Sequence, residues 1–180
     1  MENDLIAQMI KLELLVFFSG YALIFTLISL LTDIKSIQST SLIVSLYRLL
    51  PLSYALVGAL FLGFILKERY QNVQINQALK FYDLSSLQIV GLLSLLFFIP
   101  VFRKLPILSL VHSLIFLFLI LKDLILYFKK VTHIEVIRND LNILLISILL
   151  NVCTLAVVYL LLIFRNRMLY NMRNGQVLKN

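Results

Sequence analysis

The chain holds 180 residues, of which 61% are hydrophobic and only 14% charged, with a formal net charge of +7. A globular domain carries about 25% charged residues, and here the apolar excess sits in long runs, so a soluble core is excluded as its destination. No basic patch alternates with aromatics on a polar element, which excludes nucleic acid and directs the positive balance to lipid headgroups.

A bilayer span takes about 20 mostly apolar residues. The chain opens on Glu2, Asp4, Lys11 and Glu13 and then runs apolar from Leu14 to Leu31. A secretory leader would begin basic and end at a small-residue cleavage site. Neither pattern is present, so Leu14–Leu31 is expected as a retained membrane helix. The polar connector Thr32–Ser41 leads to a second span over Ile43–Leu66. The longest connector, Lys67–Asp83, carries Ile75, Ala78, Leu79 and Tyr82 on one helical face, which suits a short helix at headgroup level. A third span is expected over Leu84–Phe102, and a turn around Phe98–Pro106 follows it. Pro106 belongs in the first turn of the fourth span, Leu105–Phe128, where its missing N–H costs nothing. Thr132 and Glu135 have capping-box spacing, which predicts a brief helix ending near Asn139–Asp140. The fifth span covers Ile143–Phe164, and residues 165–180, RNRMLYNMRNGQVLKN, form a basic tail.

The fold expected is therefore all-α, a polytopic integral membrane bundle of about five transmembrane helices in a single domain. The alternative is four spans plus a re-entrant third segment, because Pro100 lies near the end of Leu84–Phe102. Counting Lys and Arg outside the spans leaves seven on each side with five spans, and ten against four if the third segment returns. A re-entrant backbone must hide in protein or a water-filled cavity, and so small a chain has little protein to hide it, which favours five. A cytoplasmic C-terminus fits both arrangements.

Ionisable and polar groups inside spans are candidate functional residues by default. Arg48 lies about 8 Å into the second span; it can snorkel to the headgroups, pair with Asp33, or contact a substrate. Pro51, Ala55, Gly58 and Ala59 share a face and form a seam for a neighbouring helix. In the fourth span Ser109, His112, Asp123 and Tyr127 make a polar stripe with an apolar waist at Phe116 and Leu119. Lys122 snorkels beside Asp123, whose partner would be Lys67, Arg69 or Arg138 with five spans and Arg48 with four. Ser147, Asn151 and Thr154 stripe the fifth span as packing glue or, alternatively, as a small-ligand site. The single Cys153 reads as a buried filler.

No HExxH, GxSxG, Walker loop or paired-carboxylate set occurs, so neither an enzyme nor a cofactor or metal is expected. The segments YRLLPLSYALVGALFLG and LSLVHSLIFLFLILKDL are similar to stretches of small bacterial multi-span membrane proteins, a resemblance that implies a bacterial inner membrane. The function expected is that of a subunit or accessory protein of a membrane assembly, with the bilayer and other membrane proteins or further copies as partners. The alternative is an oligomeric transporter of a small solute or ion, using Arg48, His112, Asp123 and Asn151.

Overall fold

The computed structural model describes residues 2–34, 41–72, 85–129 and 134–177. Every element among them is helical: α1 (Glu2–Phe18), α2 (Tyr21–Ile34), α3 (Ser41–Asn72), α4 (Ser86–Leu92), a 3-10 segment (Leu93–Phe98), α5 (Pro100–Arg103), α6 (Pro106–Lys129) and α7 (Ile134–Val177). Four helical stretches are long and apolar enough to cross a bilayer: Ile10–Thr32, Leu42–Lys67, Pro106–Ile125 and Asn139–Met168. The protein is an all-α, multi-pass membrane bundle. α3 is its axis, packing against α1, α2, α4, the 3-10 segment, α6 and α7.

The first span is two helices rather than one. It breaks at Ser19–Gly20, between α1 and α2, a Ser-Gly pair of the kind that kinks helices. Gly20 is required there by proximity. A Cβ on it would lie 2.4 Å from the Ile148 nitrogen and 2.6 Å from the Ser147 carbonyl carbon, so the backbones of the first span and α7 touch.

The third apolar segment departs from the expected straight α-helix, and its two parts have different causes. A Ser85–Gln88 capping box starts α4, satisfying two otherwise orphaned N–H groups. The chain then overwinds into six residues of 3-10 helix. Gln88, Gly91, Ser94 and Phe97 are buried, one residue in three. That is the 3-10 repeat, and it keeps one narrow face on the bundle while Ile89, Leu93, Leu96 and Phe98 face outward. The seam expected on α3 receives this face. Gly58 lies so close to Ser94 that a Cβ would collide with the serine oxygen, and Gly91 is wedged among Leu14, Phe61 and Phe18. Pro100 ends the segment by forcing Ile99 into an extended conformation, with ψ at 129°.

The segment does not turn back. Gly91 meets Phe61, Ser94 meets Gly58, the Phe97 ring is 5.8 Å from Tyr54, and Pro100 and Arg103 share a cavity with Arg48. It thus runs antiparallel along about 20 Å of α3 and joins the two ends of the bundle, unlike the re-entrant alternative. Lys11 and Asp123 meet at one end, Arg48, Arg103 and Lys104 at the other. α1 therefore enters at the first end and α7 leaves at the second. α7 is one continuous 44-residue helix with no break near Asn139–Asp140. The expected headgroup-level helix falls mainly on residues 73–84, outside the described residues, as does Thr132 of the expected cap.

Candidate functional site

The polar residues of the spans converge on the break in the first span. Gly20 N–H donates to Ser147 Oγ at 2.8 Å. Asn151 Nδ2 donates to the Phe17 carbonyl at 2.9 Å and to the Ser147 carbonyl at 2.8 Å. Ser113 Oγ donates to the Phe18 carbonyl at 2.8 Å. Three backbone groups at the kink are thus met by side chains from α6 and α7. An unmet backbone group in hydrocarbon costs several kcal/mol, so these side chains are the condition for the kink to exist. Thr154 turns inward onto its own helix, donating to the Asn151 carbonyl at 2.9 Å. Ser147, Asn151 and Thr154 are all buried. Ser147 and Asn151 join α7 to the first span.

A second network surrounds His112. Its Nε2 lies 2.8 Å from the Val90 carbonyl, which can only accept, so Nε2 carries the proton. Nδ1 then accepts from the Tyr54 hydroxyl at 2.7 Å. Beside it, Ser109 Oγ donates to the Pro106 carbonyl at 2.6 Å, which leaves Tyr21 O–H as donor to Ser109 at 2.8 Å. Phe18 closes this cluster, with ring centroids 5.7 Å from Tyr54 and 5.0 Å from Phe116. Each chain of hydrogen bonds ends on a backbone carbonyl. Of the apolar waist expected below His112, Phe116 is buried and Leu119 partly buried, with Ile120 buried one turn beyond Phe116.

Asp123 lies past that waist. Its partner is Lys11, from the far end of the sequence, and neither Arg48 nor Lys67; the side chains of Arg69 and Arg138 lie outside the described residues. The pair is partly exposed, at 31% and 26%, and it lies at span ends, Lys11 beside the start of Ile10–Thr32 and Asp123 beside the end of Pro106–Ile125. Asp140 is within electrostatic reach of both and is buried, and its Oδ2 has no partner among the described residues. Lys122 is exposed, its stem lying along Phe118, Leu121 and Ile125, the geometry of a snorkelling lysine.

The opposite end is different in kind. Arg48, Arg103 and Lys104, with Tyr47, Pro51, Pro100 and Pro106, wall a cavity of about 320 Å³. An apolar groove of about 250 Å³ lies on the other side of the 3-10 segment, between α3 and α7, with Arg165 at its mouth. Among the residues whose side chains are described, this end holds Arg48, Arg103, Lys104, Arg165 and Arg167 and no carboxylate. Arg48 is exposed, and the side chain of Asp33, its expected partner, lies outside the described residues, as does that of Tyr127.

His112 and Asp123 share a helix but join separate networks, and Arg48 meets neither. Sequence reasoning missed Lys11, Tyr21, Tyr54 and Ser113. The tyrosines and Ser113 were visible as polar tips within apolar runs, whereas nothing local marked Lys11. Cys153 is exposed on the outer face of α7 and fills no core space, contrary to its expected role. No group of three His, Cys, Asp or Glu side chains able to hold a metal exists among the described residues. No family model, curated protein or solved structure matches the chain.

Proposed function

We propose that this protein is a non-enzymatic subunit or accessory protein of a membrane assembly, seated in a bacterial inner membrane with its C-terminal end cytoplasmic. One observation carries the reading: the networks around Gly20 and His112 end on the protein's own backbone. Side chains that could bind a solute hold helices together instead. Between His112 and Asp123 stands an apolar waist, which argues against a proton or ion route along α6. The cytoplasmic placement rests on the cationic end, since anionic headgroups of the cytoplasmic leaflet attract unneutralised Lys and Arg.

The test is to purify the full chain, tagged at its native level, from its own membrane in mild detergent and to determine its mass and stoichiometry. A fixed ratio to a second membrane protein, or to further copies, supports the reading. A lone monomer that mediates flux in liposomes overturns it. Reporter fusions after Asp83, Lys104 and Lys130 check the orientation, with Lys104 alone expected on the cytoplasmic side.

The second reading, an oligomeric transporter, has its own supporting observation. Asp140 Oδ2 and Asn151 Oδ1 are buried acceptors without a partner among the described residues. Liposome flux abolished by Asp123→Asn, in protein that still folds, would favour it.

A further inference from the structure

The cavity at the cationic end has features that the accessory role does not explain. It gathers three cations, Arg48 from α3, Arg103 from α5 and Lys104 from the turn after it. None forms an ion pair with a carboxylate among the described residues. The chain has three prolines, and all three, Pro51, Pro100 and Pro106, wall this one cavity. Proline has a fixed φ and no N–H, so the walls are stiff and offer no backbone donor at those positions. Three cations that line one cavity with no neutralising carboxylate among the described residues favour an anion between them.

The depth of the cavity identifies the anion. Arg48 is six residues inside the span that starts at Leu42, about 9 Å from its end. Pro106 is the first residue of the next span. From that depth the Arg48 guanidinium reaches toward the level of Pro106, where headgroup phosphates meet hydrocarbon. The flanking surface is apolar and uncovered, with Val101 67%, Leu105 53% and Ile107 64% exposed. A soluble anion has no use for such flanks, whereas acyl chains do.

We infer that the cavity bounded by Arg48, Arg103 and Lys104 binds the phosphate of an anionic phospholipid, whose acyl chains lie along the apolar surface beside α5 and the start of α6. The two guanidinium groups accept bidentate phosphate geometry and the ammonium adds a point charge. This end of the protein thereby selects a lipid class as well as an orientation.

Native mass spectrometry of the full chain in dodecyl maltoside, titrated with phosphatidylglycerol or phosphatidylcholine, tests the assignment. Phosphatidylglycerol should be retained in preference to phosphatidylcholine. At about 1 kcal/mol per surface cation, Arg48→Gln with Arg103→Gln and Lys104→Gln should cut retention by on the order of a hundredfold. Removing three cations at the opposite end, by Lys67→Gln, Lys122→Gln and Lys129→Gln, should leave the preference in place. If the triple variant does not fold by circular dichroism, Arg103→Glu alone, on an exposed side chain, should still lower retention several-fold. Equal retention of both lipids, undiminished binding in the cavity variants, or an equal loss in the control variant overturns the assignment. Inorganic phosphate that raises the unfolding temperature as much as phosphatidylglycerol gives the cavity to a soluble anion and overturns it too.

Discussion

The first two spans and the last two are alike in composition and opposite in environment. Of the most apolar stretch of each, 56% of residues are buried in Ile10–Thr32 and in Leu42–Lys67, against 22% in Pro106–Ile125 and 33% in Asn139–Met168. Lipid tails are as apolar as leucine, so hydropathy cannot separate a protein-facing helix from a lipid-facing one. What separates them is residue size and hydrogen bonding. The buried half carries Gly20, Gly58 and a tight cluster of aromatics, and the outer half contributes narrow inward stripes, Ser109–Ser113–Phe116 on α6 and Ser147–Asn151–Thr154 on α7. The rest of α6 and α7 presents Ile107, Phe118, Leu145, Leu149 and Leu160 outward.

The contrast can be broken by substitution, read as unfolding in mixed micelles by circular dichroism because the chain has no tryptophan. Gly20→Ala should have the largest effect. Its Cβ meets backbone, which cannot rotate away, so a loss of about 3 kcal/mol or more is expected, at the top of the range for overpacking. Ser147→Ala comes next. It strands the Gly20 N–H and should cost about 1–2 kcal/mol, with Ser147→Thr recovering part of the loss. Asn151→Leu removes two donated bonds but also a buried carbonyl oxygen without a partner among the described residues. About 1 kcal/mol is expected from interhelical bonds of this kind.

Asp123→Asn should cost about 0.5–1 kcal/mol, as its pair with Lys11 is partly exposed. Exchanging the two, Lys11→Asp with Asp123→Lys, should restore most of the loss, and failure to do so would mean that the pair is incidental. Cys153→Ala, on the outer face of α7, should change stability by less than about 0.5 kcal/mol. A larger cost there would show that this face meets protein rather than lipid, and the comparison between the two halves would fail.

The helices were legible in the sequence because spanning length and hydropathy are local properties. So was the small-residue face of α3, since glycine and alanine at helical spacing admit a close neighbour. The break at Gly20 was not legible. A glycine after a serine in an apolar run is compatible with a straight helix, and only the approach of α7, 127 residues away, makes it a kink. The spacing of Gln88, Gly91, Ser94 and Phe97 stood in the sequence, but as a repeat of three it matches neither the α nor the β template. The pairing of Asp123 with Lys11 joins residues 112 apart. Topology narrows such a choice to one membrane face, and packing alone makes it. Cys153 was misread because burial inside a membrane span and burial inside the protein are different things.

The break in the first span also bears on how the protein is made. Its backbone groups are answered by Ser113 on α6 and by Ser147 and Asn151 on α7, helices that leave the ribosome well after it. Until they arrive, Gly20 N–H and the Phe17 and Phe18 carbonyls have no such partners, and the least costly state in lipid is an unbroken helix. A helix made earlier is bent into its final form by helices made after it. A chain cut short before α7 would keep its membrane segments and lose the bend.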